Sequence, residues 1–309
     1  MFPTTISTAF LTIAIAFAAS ACGSPSSDRK AQAASAPAPS TASSQADIPQ
    51  RPNGSVDKLV RIETGRLHLH CEGEGPNTVL LIAGWGDGGD ESWKVVQPAI
   101  AGDARVCTYD RFGTGTSDAP AADQTFTTEA NDLHTLLEEA AEPGPYVVVG
   151  HSFGGAEAVT FASRYRDEVA GLMLVDASPA TWPAAVCAVP DDGTDGAQTA
   201  RTLCAVFHDP ALDAERLDVV SAFDEVAAID SLDDLPVTVV TAAHRTWPGL
   251  TDAALTRLDA VWAEGVSRWT ALSPNATTVT VEESGHYIQI EHPDVVVNAL
   301  TQLMSASDA

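Results

Sequence analysis

Short runs of apolar residues recur along the chain from about residue 56 onward. Residues 59–62 and 67–70 alternate around a turn at Gly65, which predicts a β-hairpin. The later runs are continuous rather than alternating, and this favours strands that are covered on both faces of a sheet. Such buried strands are predicted at residues 78–82, 105–109, 146–149, 172–175, 237–240 and 277–281.

Helical spacing of apolar residues separates several of these runs. It predicts helices over residues 129–142 and 156–166, and a terminal helix over residues 293–304 that begins with a proline. Apolar strands that alternate with helices are typical of the α/β class. The sequence therefore predicts a mostly parallel sheet flanked by helices.

One stretch, from residue 178 to about residue 235, interrupts the alternation. It is acidic and mixed in pattern, and it contains Pro183, Pro190 and Pro210. We interpret it as a small helical cap over the carboxyl edge of the sheet, which is where open α/β sheets bind ligands. With 309 residues, 45% of them hydrophobic, the chain is long enough for one folded domain, residues 56–309, that carries this insertion.

The N-terminal region has a different composition. A short apolar run followed by small residues predicts a signal peptide over residues 1–21. Cys22 follows directly and resembles the lipidated cysteine of bacterial lipoproteins; plain secretion with an incidental cysteine is the alternative. Residues 22–55 are rich in Ser, Ala and Pro, which predicts a flexible tether. We therefore expect an exported protein, either secreted or a cell-envelope lipoprotein that meets the membrane only through its lipid.

The overall charge narrows the choice of partners. The formal net charge is −26, from 42 acidic and 16 basic residues, so the surface repels phosphate backbones and nucleic acid is not an expected partner.

The cysteine content also indicates an exported protein. The folded part contains an even number of them, which in an exported protein favours two disulfides, although four cysteines allow three pairings and buried free thiols are the alternative. These residues are Cys71, Cys107, Cys187 and Cys204.

The segment Gly150-His151-Ser152-Phe153-Gly154 has the pattern Gly-x-Ser-x-Gly. The pattern alone is weak, but here an apolar strand runs into it and a helix leaves it. That context predicts a sharp turn which exposes the serine hydroxyl at the edge of the sheet, above a helix N-terminus. Ser152 is therefore the candidate nucleophile.

A serine hydroxyl needs a base that accepts its proton. Among eight histidines, His286 is the best candidate because it lies in a glycine-containing loop between the last strand and the last helix. His151 adjoins the serine, but on a tight turn it is expected to point elsewhere.

Three motifs in this order resemble those of the α/β-hydrolase superfamily: residues 109–117, residues 150–154 and residues 284–286. The resemblance covers roughly residues 56–304. It implies that Ser152 and His286 act as nucleophile and base in a serine hydrolase that cleaves an ester or related acyl bond of a small molecule. A peptidase or an acyltransferase of the same fold, and a catalytically silent binding protein, are the alternatives. Epoxide hydrolases and dehalogenases are disfavoured because those relatives carry Asp in place of the serine.

The resemblance also implies an oxyanion hole built from two backbone N–H groups. Phe153 supplies the first, and Trp85, in the loop after the strand at residues 78–82, supplies the second. The family usually has His-Gly in that loop, whereas this chain has Ala83-Gly84.

The sequence offers two candidates for the acid of the triad. Many members carry it after the strand at residues 237–241, but no carboxylate follows directly there. Others carry it one strand earlier, where Asp176 ends a predicted strand. Asp252, expected in a loop, is the second candidate. Asp110 is expected to stabilise a turn rather than to act in catalysis.

In this fold the second and fourth strands are neighbours, which implies the pairing of Cys71 with Cys107. Cys187 and Cys204 both fall in the predicted cap and are expected to pair there. The sequence contains no HExxH, Cys-x-x-Cys or phosphate-loop motif, so no metal or nucleotide cofactor is expected.

Overall fold

A computed structural model describes residues 54–307. Cys22, the predicted signal peptide (residues 1–21) and nearly all of the predicted tether (residues 22–55) lie outside the described residues. Within residues 54–307, none of the helices combines the length and the apolar character needed to cross a membrane.

An eight-stranded sheet forms the centre of the described structure, in the order β1-β2-β4-β3-β5-β6-β7-β8. The pairs β1·β2 and β2·β4 are antiparallel and the remaining pairs are parallel, so the mostly parallel sheet predicted from the apolar runs is confirmed. The strands are β1 Val56–Ile62, β2 Gly65–Glu72, β3 Thr78–Ile82, β4 Arg105–Tyr109, β5 Tyr146–His151, β6 Val169–Val175, β7 Val237–Ala242 and β8 Ala276–Val281.

Helices cover both faces of the sheet. They are α1 Gly89–Trp93, α2 Val96–Ile100, α3 Phe126–Ala140, α4 Phe153–Arg164, α5 Trp182–Cys187, α6 Asp195–His208, α7 Val219–Ala227, α8 Asp252–Ala271, α9 Ile288–Glu291 and α10 Pro293–Ser307. Residues of α1, α2 and α10 form one apolar cluster with the sheet, and residues of α3, α4 and α8 form the other.

Strand β5 shows why the buried runs are continuous. Val147 and Val149 belong to the cluster with α1, α2 and α10, whereas Tyr146 and Val148 belong to the opposite cluster. Because successive side chains of a strand point to opposite faces, a strand between two helical layers must be apolar at every position.

Between β6 and β7, in the stretch predicted as a cap, the chain forms helices α5, α6 and α7. Pro183 lies in the first turn of α5, where a missing N–H is harmless. The expectation that Asp252 lies in a loop is wrong, because Asp252 begins the 20-residue helix α8. Small and aromatic residues such as Gly265 and Trp269 take the buried positions of α8, so its sequence lacks the leucine spacing that marks α3.

Two disulfides are present, and both have the pairing predicted from the sequence. Cys71 lies directly opposite Cys107 across the β2·β4 pair and is bonded to it. Cys187, at the end of α5, is bonded to Cys204 in α6, so two helices of the cap are covalently joined.

Replacing Cys71 and Cys107 together by Ser should lower the free energy of unfolding by about 4 kcal/mol, because the bond closes a loop with a sequence separation of 36. The same change at Cys187 and Cys204, with a separation of 17, should lower it by about 3 kcal/mol. Urea unfolding followed by circular dichroism measures both values. Unchanged stability in either double variant would contradict the prediction.

Candidate active site

Ser152 lies at a sharp turn between β5 and α4, with φ 54° and ψ −124°. This backbone region is strained for a residue with a side chain, and such strain is concentrated at functional sites. The turn closes because glycines flank it: a Cβ on Gly150 would lie 2.1 Å from the Gly154 oxygen, and one on Gly154 would lie 2.2 Å from the Ala83 oxygen. The two glycines of the motif are therefore required by the close approach of neighbouring backbone.

Three side chains meet at this turn. His286 lies in the loop between β8 and α9, and its Nε2 is 3.0 Å from Ser152 Oγ. Its Nδ1 is 2.7 Å from Oδ2 of Asp176, which directly follows β6. The structure thus brings together the residues to which the sequence assigned the roles of nucleophile, base and acid.

The second candidate acid lies elsewhere. Asp252 is exposed in the first turn of α8, and the ring nitrogens of His286 are directed at Ser152 and Asp176. The acid adjacent to His286 is therefore the one that ends β6.

Asp176 is fully buried and receives several hydrogen bonds. Besides His286, the Ala242 N–H donates to Oδ1 at 3.1 Å and Arg245 Nε donates to Oδ2 at 3.0 Å. Burial alone would raise the pKa of Asp176, but the hydrogen bonds from His286 and Arg245 outweigh it and lower the pKa below its usual value. The carboxylate is therefore ionised at neutral pH.

The ring of His151 is directed at the backbone of His286 rather than at Ser152 Oγ, in keeping with the expectation that it points elsewhere. Its Nε2 lies 3.0 Å from the His286 backbone oxygen, and the two imidazole rings are 4.7 Å apart. Burial, with a further contribution from His286, lowers the pKa of His151 to about 3. His151 is therefore neutral at physiological pH, and its Nε2–H donates to the backbone that carries the base.

Ser178, which the sequence did not single out, lies on the other side of the nucleophile. Its Oγ is 3.3 Å from Ser152 Oγ, and its N–H donates to the Ser152 carbonyl at 3.0 Å. Nothing in the local pattern distinguishes this serine, because its proximity depends on how β6 lies beside β5.

The backbone N–H groups of Trp85 and Phe153 are the predicted oxyanion donors. The two side chains stack with ring centroids 5.4 Å apart, and both residues line the pocket at Ser152. Within residues 54–307, neither N–H donates to a protein acceptor. Both are therefore available to a ligand.

Arg111 holds the loop that carries Trp85. Its guanidinium donates to the carbonyls of Ala83, at 2.7 Å, and Gly84, at 2.6 Å. Its Nε donates to Glu215 at 2.6 Å. This buried arginine therefore fixes the backbone of the loop directly before Trp85.

Residues of the cap segment hold the same loop from the other side. The second oxygen of Glu215 accepts from the Gly86 N–H, and Asp213 accepts from Trp85 Nε1 at 2.9 Å. The predicted second oxyanion donor therefore lies between a core arginine and two carboxylates of the cap segment.

Asp110 stabilises a turn, as expected. Its carboxylate accepts from the backbone N–H groups of Gly89 and Thr116, each at 2.9 Å.

A cavity of about 190 Å³ opens onto Ser152 and His286. Its wall is largely aromatic, with contributions from the sheet loops, the cap and α8. The aromatic lining residues are Trp85, Phe153, Trp182, Phe207, Trp247, Trp262 and Tyr287. An apolar cavity with a few convergent polar groups is the usual form of a small-molecule site.

Possible metal ligands cluster at two places among the described residues, and both places include a disulfide. Cys187 and Cys204 lie near His208, and Cys71 and Cys107 lie near Glu142. The sulfurs of each pair are bonded to each other and so do not offer thiolates.

Comparison with known proteins agrees with this geometry. A family model described as "alpha/beta hydrolase fold" matches residues 77–209. The uncharacterized protein YqjL of Bacillus subtilis is 30% identical over 122 residues, which cover 39% of this chain and 48% of that protein. The 2-hydroxy-6-oxononadienedioate/2-hydroxy-6-oxononatrienedioate hydrolase of Paraburkholderia xenovorans is 29% identical over 188 residues, which cover 58% of this chain and 62% of that protein. The matches thus span less than two thirds of either relative.

Among solved structures, a serine hydrolase involved in carbazole degradation, the CarC enzyme, superposes with a TM-score of 0.59. The sequences are 20% identical, and the match covers 82% of this chain and all of that one. The sheet and these matches show that the chain has the α/β-hydrolase fold.

A buried charge cluster lies beneath the oxyanion loop. Arg111 is within 4.0 Å of three buried glutamates: Glu129 at 3.9 Å, Glu157 at 3.4 Å and Glu215 at 2.6 Å. One guanidinium cannot neutralise three carboxylates, and burial raises the pKa of Glu157 to about 7. Tyr109 also donates its hydroxyl to Glu157.

The contribution of Glu157 to the stability of the protein should therefore fall as the pH rises from about 4.5 to about 7. The pKa of Glu157 is higher in the folded chain than in the unfolded chain, so its contribution is complete below the unfolded value and is lost as the pH passes the folded one. The loss is at most about 3 kcal/mol.

Urea unfolding at pH 5 and pH 8 measures this loss. Glu157→Gln removes this contribution, so from pH 5 to pH 8 its free energy of unfolding should change in a more favourable direction than that of the wild type. Glu139→Gln, which changes an exposed glutamate of α3, should have the same pH dependence as the wild type. Equal pH dependence in all three proteins would contradict the assignment to Glu157.

Proposed function

We propose that this protein is a serine hydrolase that cleaves an ester or related acyl bond through an acyl-enzyme on Ser152. The observation that carries the proposal is the chain of contacts from Ser152 Oγ to His286 Nε2, at 3.0 Å, and from His286 Nδ1 to Asp176, at 2.7 Å. This is the geometry in which a histidine takes the serine proton and a buried carboxylate stabilises the resulting imidazolium.

The reaction follows from these positions. His286 accepts the proton as Ser152 Oγ attacks the acyl carbon, and the N–H groups of Trp85 and Phe153 bind the oxyanion that forms. Collapse of the tetrahedral intermediate breaks the bond to the leaving alcohol, which takes the proton from His286. Water then attacks the acyl-enzyme with His286 again acting as base, and releases the acid and free Ser152.

The pocket favours an apolar acyl substrate. Its wall is mainly aromatic. None of the described residues that line it is a Lys or Arg that would pair with a free carboxylate elsewhere on the substrate. A volume of about 190 Å³ suits a compact group, such as a substituted ring or a short branched chain.

We also propose that the enzyme works outside the cytoplasm, exported by the signal peptide predicted at residues 1–21 and attached to the envelope through Cys22. The two disulfides support this location, because such bonds persist in oxidising compartments.

Ser152→Ala should lower the turnover of an uncharged aromatic ester, such as a nitrophenyl ester, by about 10⁶-fold, and His286→Ala should have a similar effect because the triad acts as a unit. Spectrophotometric kcat and KM, together with labelling by a fluorophosphonate probe, measure this loss. Turnover close to the wild-type value in Ser152→Ala would contradict the proposed serine-hydrolase function.

The apolar wall further predicts that an ester whose acyl group carries a free carboxylate has a lower kcat/KM than the uncharged ester.

Asp176→Asn should keep the fold and reduce kcat about 10⁴-fold, because an amide neither fixes the imidazole tautomer nor stabilises the imidazolium. Asp252→Asn is the matched control: it removes an exposed carboxylate on α8 and should leave kcat unchanged. Circular dichroism verifies folding of both variants. An inactive Asp252→Asn beside a fully active Asp176→Asn would contradict the assignment.

A further inference from the structure

Arg245 lies in the loop after β7, at the point where many members of the superfamily carry the acid of the triad. In this chain the acid is Asp176, one strand earlier, and Arg245 is paired with it. Arg245 Nε is 3.0 Å from Oδ2 of Asp176, and Nη2 contacts Oδ1. Both carboxylate oxygens are therefore bound by one planar guanidinium, a geometry that lysine cannot reproduce.

The guanidinium is fixed on its other sides as well. Nη2 donates to Thr241 Oγ1 at 2.7 Å, and Cζ lies 4.5 Å from the ring centroid of Trp262. The same ring meets His286 at a right angle, with centroids 5.5 Å apart. The side chain of Arg245 is only 7% exposed, so solvent screens its charge weakly.

Asp176 Oδ2 accepts from both His286 Nδ1 and Arg245 Nε. While His286 is neutral, the Asp176 carboxylate has one cationic partner, Arg245, and the two charges balance each other. When His286 gains a proton, two cations share one carboxylate, and a like charge nearby disfavours the charged form. A fixed cation at this position therefore makes protonation of the base less favourable.

We propose that Arg245 is a positioning residue that keeps His286 in its proton-accepting form at acidic pH by occupying the Asp176 carboxylate. The proposal rests on the proposed function of the triad. It implies that the enzyme remains active at a lower pH than the same triad without the arginine.

Other titratable groups also lie near the base. His151 is neutral because burial holds its pKa at about 3. Asp87 and Tyr287 line the pocket on the substrate side, and Asp259 lines a cavity beside Arg245 and Trp262. None of these groups is altered in the variants below, so they act equally in each protein.

The pH profile of kcat/KM on an uncharged ester tests the proposal. Arg245→Gln should move the acidic limb of the profile to higher pH by about one unit, and Arg245→Lys, which retains a cation, should move it by less than about half of that. Arg66→Gln is the matched control: it removes one charge from the exposed Arg66–Asp118 pair and should leave the limb in place.

An acidic limb that stays in place or moves to lower pH in folded Arg245→Gln overturns the proposal, and so does a limb in Arg245→Lys that moves as far as in Arg245→Gln. If the Gln variant does not fold, Arg245→Met makes the same comparison, since its side chain still covers Trp262 without a charge.

A titration that needs no turnover separates this proposal from the proposed function. In protein labelled with ¹⁵N-histidine, the His286 signals are identified by their loss in His286→Gln, and their titration midpoint is followed in wild type and Arg245→Gln. A higher midpoint in Arg245→Gln without any ester turnover would reject the hydrolase and keep the role of Arg245. Ester turnover together with an unchanged His286 midpoint in Arg245→Gln would support the hydrolase and reject the role of Arg245.

Discussion

The buried carboxylate of Asp176 joins three separate parts of the chain. It ends β6, accepts from the backbone at the end of β7, and holds His286 in the loop after β8. A buried charge must be hydrogen-bonded on every side or its desolvation is strongly unfavourable, so the three segments are held in register around it. The distance from His286 to Ser152 follows from this arrangement, because Ser152 is itself fixed between β5 and α4.

The parts of the site that are local in sequence could be predicted. The turn at Ser152 needs Gly150 and Gly154 on either side of a strand–helix junction, and the pattern contains both. The sheet could be predicted too, because each strand between two helical layers is a continuous apolar run. Asp176 could be placed at the tip of its strand, although the resemblance left Asp252 as a second candidate.

The remaining parts depend on contacts between residues far apart in sequence. Arg111 contacts Glu215, 104 positions later, and Arg245 contacts Asp176, 69 positions earlier. No local pattern identifies such partners, because the topology of the sheet and the path of the cap decide which buried charges meet. The partner of His151 could not be predicted for the same reason, since that partner is the backbone of His286.

The contacts of Asp213 and Glu215 with the oxyanion loop set a rule for redesign. Exchanging the cap for that of another hydrolase is an obvious route to a new substrate range, but in this protein it would also remove two carboxylates that hold Trp85 and Gly86. Arg111 would then be left buried with fewer partners, and the donor loop would lose its support on one side. A transplanted cap should therefore retain an acidic residue at each of these two positions, or the chimera will bind its new substrate without activating it.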